Sequence, residues 1–530
     1  MGRMSAAAPA PQAPDGDACY RALLARDARF DGCFFTGVSS TGIYCRPVCR
    51  VRAPRRDNCR FFTLAAQAER AGFRPCLRCR PELAPGRRSP LPGTAPWSTQ
   101  DAAGILAAQA AQLLDATPLA GPSLAGMPQL ALRLGVSDRH LRRIFESQLG
   151  VSPLQYLQTR RLLCAKQLLT DTTLAVPEVA RLSGFGSQRR FHAAFTSHYG
   201  LNPSSLRRHS AALPAQPGLL LKLAYRPPYD APAMLAFFAQ RQLEGVERAA
   251  PDAGTLTLAR TVRLHQRGQT LSGWVQGQFE PDRARLNLRV SESLQPMLPL
   301  LLAKVRGWLD LDADPQAINQ QLHPHFPNGD GLRLPGTLDG FELAVRAVLG
   351  QQISVAAART LAQRLVARWG EALLTPIAGL DRLFPSSEAL AQASCDALGA
   401  LGVTRQKQAA IQGLAQMLHS GELRLEPGAD VAATLTTLQS LPGVGDWTAQ
   451  YIAMRALGWP DALPASDVAL HRALGLQGQA RAAQATLVVA QAWQPWRSYG
   501  VIRAWASLPL PTRAAPGPIS ERPVELLNAT

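Results

Sequence analysis

Four cysteines of this 530-residue chain stand in the pattern C-x3-C-x26-C-x2-C: Cys45, Cys49, Cys76 and Cys79. Each close pair can present two thiolates from one turn, and two such pairs complete a tetrahedral shell around zinc. Far along the chain a second arrangement suits different chemistry. Leu441-Pro442-Gly443-Val444-Gly445-Asp446-Trp447-Thr448-Ala449 sets two glycines in a tight hairpin between helical runs, and Asp467 follows Trp447 by twenty residues. Gly443 and Gly445 let backbone amides at a helix N-terminus approach a phosphate without any side chain. An aspartate after a loop is by itself most often a helix cap; the distance of Asp467 from the hairpin is what gives it a second reading. A third set lies in an internal repeat: Leu141-x3-Phe145-x4-Gly150-x2-Pro153 recurs fifty residues later as Phe191-x3-Phe195-x4-Gly200-x2-Pro203, with Ser137 and Ser187 at matching offsets.

These groups must be positioned by a chain of several domains. At roughly 100–200 residues per domain, its length predicts about three or four. The hydrophobic fraction of 46% excludes general disorder, and no apolar run approaches a membrane span. Ser5–Pro14 is Ala/Pro-rich and lacks the apolar core of a secretory signal, so a cytoplasmic protein is expected. The formal charge of +18 is uneven: residues 1–213 carry 28 basic and 13 acidic side chains, the remainder 28 and 25. A basic front half is the footprint of a protein that sits on phosphate backbone. An Arg-biased proteome is the other source of such a charge, and only four lysines occur in all.

Pro/Gly-rich stretches mark the joints. Residues 81–96 read as a linker that cannot sustain helix or strand, and 213–218 as a shorter break. The expected organisation is a loose tail over 1–14, a small four-cysteine zinc domain over 15–82, a linker over 83–100 and an all-α double helix-turn-helix domain over 101–210. A linker over 211–218, an α+β subdomain over 219–294, an all-α domain over 295–510 and a loose tail over 511–530 follow. In the subdomain, strands are expected at 255–264, 270–278 and 284–290 and a helix near 233–242; elsewhere the helical period rules, so the fold class is multidomain and mainly α. Cys19, Cys33, Cys59, Cys164 and Cys395 show no pairing and read as ordinary small apolar residues.

Around the thiols, Tyr44-Cys45-Arg46-Pro47-Val48-Cys49, Asn58-Cys59-Arg60-Phe61-Phe62 and Gly72-Phe73-Arg74-Pro75-Cys76-Leu77-Arg78-Cys79 resemble the Ada metal-binding domain over about 70 residues. The resemblance implies one Zn2+ held by Cys45, Cys49, Cys76 and Cys79, and transfer of a methyl group from a DNA methylphosphotriester to Cys45; spacing alone does not choose among the four. Zinc keeps such thiols deprotonated. An inert zinc ribbon is the alternative.

The repeat has helix-turn-helix grammar, and with Gly184-Phe185-Gly186-Ser187 it resembles the AraC-type DNA-binding domain. Its recognition helices offer Asp138, Arg139, His140, Arg142 and Arg143, then Gln188, Arg189, Arg190 and His192. Arg and Gln pair bidentately with guanine and adenine edges; solvated helix faces or phosphate contacts are the plainer alternative. Leu141, Phe145 and Phe195 are expected in the core.

From about residue 223 to 508 the chain resembles the AlkA-type 3-methyladenine glycosylase of the helix-hairpin-helix superfamily. Besides the hairpin and Asp467, the resemblance rests on Tyr225-Arg226-Pro227-Pro228-Tyr229-Asp230, on 341–352 (FELAVRAVLGQQ), and on 493–499 (WQPWRSY). It implies a base flipped into a pocket of Phe237, Trp447, Tyr451 and Trp505, whose aromatic faces attract a cationic alkylated purine. Asp467 then stabilises oxocarbenium charge while water attacks. No lysine stands in the motif, which implies a monofunctional enzyme. Gln352 occupies the plug position, where the family places an apolar residue, and Asp446 stands where a basic residue would aid phosphate binding. Carbonyls of Gln439, Leu441 and Val444 are expected to hold a monovalent cation at the hairpin.

Together these resemblances imply an alkylation-damage response protein: a sensor and activator of repair genes fused to a base-excising glycosylase. The expected partners are double-stranded DNA, both damaged sites and promoters, and RNA polymerase; the expected state is a monomer without membrane attachment. The Pro-Cys-His-Arg motif of an O6-methylguanine methyltransferase is absent from the chain. A regulator whose glycosylase-like half binds DNA without catalysis is the competing reading.

Overall fold

The computed structural model describes residues 15–86, 99–116, 127–206, 217–251, 255–266 and 268–508. Both expected loose tails, and most of the two expected linkers, lie outside these.

In the N-terminal domain four short strands, β1 (Phe35–Val38), β2 (Ile43–Cys45), β3 (Cys59–Phe62) and β4 (Arg74–Pro75), form a sheet in the order β3-β1-β2-β4. The turn after β1 closes at Gly42, whose φ of +64° is the left-handed region that glycine enters without strain. Pairing of β2 with β4 is parallel, Tyr44 opposite Pro75, and the Cys76 N–H donates to the Tyr44 carbonyl at 3.0 Å. That register delivers one cysteine from each distant pair to the same end of the sheet.

The repeat forms two helix-turn-helix units, Met127–Arg133 with Asp138–Leu149 and Val176–Leu182 with Gln188–Tyr199, joined by the 19-residue helix Pro153–Asp171. Its matching residues are the caps. Ser137 and Ser187 accept from the N–H groups of His140 and Arg190 at 3.3 and 3.2 Å, and each second helix ends on a left-handed glycine, Gly150 or Gly200. Leu141, Phe145 and Phe195 are fully buried, as expected.

Five antiparallel strands follow: β5 (Leu219–Ala224), β6 (Glu247–Ala250), β7 (Thr257–Gln266), β8 (Gln269–Glu280) and β9 (Arg285–Val290), in the order β5-β9-β8-β7-β6. The sequence reading finds the three inner strands and misses both edges. β5 reads as an apolar run without alternation, and β6 is only four residues long. The helix expected near 233–242 is Ala231–Arg241, capped by Asp230. Beyond residue 295 the chain is helical, as its periodicity requires.

Packing departs from a string of beads. The second helix-turn-helix unit shares one core with the sheet, Leu168, Phe191 and Phe195 clustering with Leu221, Leu223 and Leu288. The first unit packs instead with Ala66 of the N-terminal domain. Residues 81–86 do not behave as a free linker either: Pro81–Leu83 form a 3-10 turn, and the Gly86 N–H donates to Asp312 at 2.7 Å. Arg226, fully buried, donates to the carbonyls of Asp31, Pro85, Gly86, Asp312 and Ala313 and so joins the N-terminal and C-terminal halves. Cys395 is exposed rather than packed, because it opens the short surface helix Cys395–Ala400. Among the described residues no helix is long and apolar enough to cross a membrane.

Candidate functional site

The four predicted cysteines converge: their sulfur atoms all lie within 4.8 Å of one another. Zn–S bonds of about 2.3 Å in a tetrahedron place sulfurs about 3.8 Å apart, so the donor set and its size fit one zinc ion. Cys45, Cys49 and Cys76 are buried and Cys79 is half-buried. Backbone N–H groups reach three of the sulfurs, from Arg46 to Cys79 at 3.3 Å, from Val51 to Cys49 and from Cys79 to Cys76.

Arginines around the cluster are not equivalent. Arg46, one of the basic residues of the front half, is buried and paired with Asp31, its Nε 2.8 Å from Oδ1. Arg80 is tied to Asp171 at 2.6 Å and to Glu82 at 2.9 Å, and Arg74 donates to the Tyr199 carbonyl. Arg50, Arg52, Arg55 and Arg78 remain exposed. Lys166, 2% exposed, pairs with Glu82 and donates to the Cys76 carbonyl at 3.4 Å, which clamps the long linking helix to the cysteine knuckle.

On the two recognition helices Arg139, Arg142, Arg143, Gln188, Arg189 and Arg190 are all exposed. Arg142 is paired with Asp138 at 3.0 Å, one turn back. Its neighbour Arg143 contacts His140.

The second centre is built on the helix-hairpin-helix. Val431–Gln439 ends just before the turn and Asp446–Arg455 begins after it, with Gly445 at its N-cap. Gly443 has φ +84°, and a Cβ there would meet the Gln406 carbonyl oxygen at 3.0 Å; a Cβ on Gly445 would meet nothing within 4 Å, so its backbone is open to a phosphate. Asp446 is exposed in the first helical turn and accepts from Gln439 at 3.1 Å.

Asp467 is the N-cap of Val468–Ala473, and its Oδ1 accepts from the Leu470 N–H at 2.7 Å. The same Oδ1 accepts from Trp505 Nε1 at 3.0 Å and Oδ2 from Trp447 Nε1 at 2.8 Å. Cap and site are therefore not alternatives here: the cap bond fixes the carboxylate, and two indoles aim it. Trp447 stacks on Tyr451 (5.3 Å, 13°), and Tyr451 lies 6.3 Å from Trp505. Phe237 joins through two guanidiniums, Arg241 at 3.8 Å and Arg455 at 4.8 Å from its ring centroid. These arginines were not picked out in the sequence, although each follows its aromatic by four residues (Phe237/Arg241, Tyr451/Arg455), the spacing that stacks side chains on one helix face. Gln352, at the exposed turn after the helix Gly340–Leu349, has φ +58°, a left-handed conformation costly for a residue with a Cβ. Its neighbours Ile353 and Val355 are also exposed.

A thiolate metal knuckle, a paired helix-turn-helix and a helix-hairpin-helix carrying an aspartate on an aromatic wall define a class: a zinc-binding, DNA-binding regulator joined to a base-excision glycosylase. Family models agree segment by segment. They match the metal binding domain of Ada over 18–82, a helix-turn-helix domain over 130–209, the AlkA N-terminal domain over 220–339 and the HhH-GPD superfamily of base excision DNA repair proteins over 345–498. A "Probable bifunctional transcriptional activator/DNA repair enzyme AlkA" of Mycobacterium tuberculosis is 37% identical over 516 residues, covering 95% of this chain and 98% of that protein. The chain belongs to this family. Its C-terminal half is 34% identical to "DNA-3-methyladenine glycosylase 2" of Escherichia coli (53% of this chain, 95% of that protein). Its front is 28% identical to "Bifunctional transcriptional activator/DNA repair enzyme AdaA" of Bacillus subtilis (37% of this chain, 83% of that protein).

Proposed function

We propose that this protein excises 3-methyladenine-type alkylated bases from DNA by N-glycosidic hydrolysis, and that its zinc domain takes methyl groups irreversibly from DNA methylphosphotriesters, turning the helix-turn-helix units into an activator of repair genes. The observation that carries the first part is the Asp467 carboxylate held by Trp447 and Trp505 on the wall that also contains Tyr451. The hairpin amides hold backbone phosphate, Gln352 fills the space the base leaves, and the base enters beside Phe237, Trp447, Tyr451 and Trp505. As the C1′–N bond lengthens, its electron pair moves to the base and positive charge grows on the sugar. Asp467, already oriented, stabilises that charge without reorganising while water adds to C1′. With no amine in the hairpin, the product is an intact abasic site, the monofunctional outcome.

Cys45, Cys49, Cys76 and Cys79 hold the zinc ion, which when bound keeps the four sulfurs as thiolates. The match of residues 18–82 to the metal binding domain of Ada, with Tyr44-Cys45-Arg46-Pro47 at its first knuckle, supports the methyl acceptor as Cys45. Its Sγ attacks the methyl carbon; the S–C bond forms as the C–O bond breaks, and the electron pair leaves with the phosphate oxygen to give a diester. Arg50, Arg52, Arg55 and Arg78 face the backbone, while Arg139, Arg142, Arg143, Gln188, Arg189 and Arg190 lie against DNA at promoter sites.

Acting in the cytoplasm as a monomer beside RNA polymerase accords with this role. A monovalent cation at the Gln439, Leu441 and Val444 carbonyls would add charge for the phosphate. The test is analysis of bases released from methylated duplex DNA with and without a zinc chelator. Release of 3-methyladenine that survives chelation is expected; no release under either condition leaves the regulator with a silent glycosylase half.

A further inference from the structure

The aromatic wall assigned to the damaged base is not an unoccupied cation trap. Phe237 already carries Arg241 at 3.8 Å and Arg455 at 4.8 Å from its centroid, and Arg455 also lies 5.5 Å from the Tyr451 ring. Much of the cation–π attraction available at these faces is engaged by the protein itself. Neither guanidinium has a carboxylate partner among the described residues. Arg241 donates to the Phe237 carbonyl at 3.2 Å, and Arg455 to the carbonyls of Pro335 and Gly336 at 2.8 and 3.2 Å. The nearby carboxylates, Glu247 and Glu342, are taken by Arg260 and Arg346. Asp467 is reached through Trp447 and Trp505, the two guanidiniums through Tyr451 and Phe237. The aromatic set therefore stands between one anion and two cations.

The Tyr451 hydroxyl is fixed by this arrangement. Arg455 donates to its oxygen at 2.6 Å, and a guanidinium can only donate, so the phenol proton is turned away from Arg455. Burial opposes ionisation of Tyr451, but the charges of Arg455 and Arg241 and the bond from Arg455 outweigh it and hold the hydroxyl below the ordinary phenol value, which makes it a stronger donor. Burial in turn pulls Arg241 down to about 10, still charged at neutral pH.

Resting on the glycosylase reading of this pocket, we propose that Arg241 and Arg455 are positioning residues for the leaving base: they hold Tyr451 Oη as a hydrogen-bond donor to it and place positive potential on its side of the pocket, so that release of a neutral lesion with an acceptor edge depends on them and release of a fixed cation does not. The chemistry sets the sign. For a neutral base the C1′–N bond breaks with its electron pair going to the base, water supplies oxygen to C1′, and the proton water loses ends on the base nitrogen. Negative charge grows on the base in the transition state, and the guanidiniums and the Tyr451 donor stabilise it. A fixed cationic base leaves neutral and the water proton goes to solvent. Its transition state still holds part of the positive charge it had in free DNA, so the same groups do not promote its release.

The experiment uses full-length protein and single-turnover kinetics on duplexes with one deoxyinosine, which is neutral and carbonyl-bearing, or one N7-methyldeoxyguanosine, a fixed cation. Arg241→Gln and Tyr451→Phe should each lower the neutral-to-cationic ratio of kcat/KM by about tenfold or more, the size of one charge-assisted hydrogen bond lost. Arg241→Lys should restore most of the ratio, and Tyr451→Phe keeps the ring in place should Arg241→Gln fold poorly. A ratio unmoved in both variants overturns the proposal, as does wild-type protein that releases 7-methylguanine and leaves inosine intact. Wild-type protein that releases neither base but does release 3-methyladenine also overturns the proposal, whereas release of none of the three defeats the glycosylase reading instead.

Discussion

Replacing Asp467 by Asn separates what this residue does for the fold from what it does for the reaction. Asn caps a helix about as well as Asp. If the amide oxygen keeps the Oδ1 position, the Leu470 N–H and the Trp505 indole, at 2.7 and 3.0 Å, retain their acceptor. The amide nitrogen then faces the Trp447 indole, a donor that had an acceptor at 2.8 Å. One lost bond with a half-buried donor costs about 1–2 kcal/mol of stability, a shift of a few degrees in Tm. Removing the fixed charge is worth more. A single preorganised electrostatic contact contributes roughly 2.7–4 kcal/mol to a transition state, so excision should fall by about 10²–10³ or beyond. Duplex affinity should stay nearly constant, because Asp467 is 9% exposed and the phosphate-facing Gly443–Gly445 turn is untouched. The assay is single-turnover release of 3-methyladenine, with DNA binding and thermal melting measured on the same samples. An Asn variant within tenfold of wild type, folded and binding, would refute the claim that the Asp467 charge carries the chemistry.

Wild-type protein should leave intact abasic sites, and borohydride should trap no covalent adduct; a trapped adduct would mean that an amine attacks C1′. Arg226→Met should lower stability by about 3 kcal/mol or more, since five carbonyls, three of them in buried bonds, lose their donor. It should also expose the 81–86 segment to protease, and wild-type resistance would show the clasp to be dispensable. Methylation of Cys45 should raise promoter affinity: four thiolates on Zn2+ carry −2, alkylation leaves −1, and one charge at about 4–10 Å through a dielectric near 20 is worth roughly 2–4 kcal/mol, of which about a third survives screening. That is on the order of tenfold, falling with salt. Equal affinities of the two forms at low salt would end the charge-switch account, and methyl uptake by Cys45→Ala would remove Cys45 from its role.

Local chemistry was legible in the sequence wherever one short motif determines a geometry. The cysteine spacings, the Ser137 and Ser187 caps with Gly150 and Gly200, and the Gly443–Gly445 hairpin each constrain only a few residues, and each reappears as read. Edge strands were not legible, because β5 and β6 owe their state to a neighbour in the sheet rather than to their own pattern. Asp467 was posed as cap or catalyst, a choice that a one-dimensional reading forces. Trp505, 38 residues on, supplies one of the two indole donors to the capping carboxylate, so the cap bond does not exclude the catalytic role proposed for it.

Contacts between domains were legible least, and Arg46 shows why. Its neighbours in sequence place it in a basic run facing DNA, yet Asp31 draws it inward, where its N–H reaches Cys79. The Asp31 carbonyl accepts from Arg226, 195 residues later. Burying an Arg side chain is unfavourable unless its donors are met: Arg46 finds Asp31 and the carbonyls of Cys79 and Arg80 within its own domain, whereas Arg226 holds its place only when both halves are docked. Charge counting credits such residues to the surface. The basic excess of the front half is correspondingly smaller as a DNA-facing potential than the composition suggests, with Arg46 and Arg80 engaged inside the protein. Exposed beside the zinc knuckle, and available for phosphate along with the two recognition helices, are Arg50, Arg52, Arg55, Arg74 and Arg78. A salt-dependence slope for non-specific binding that follows substitution of those arginines, and ignores substitution of Arg80, is the measurement that this division of labour requires.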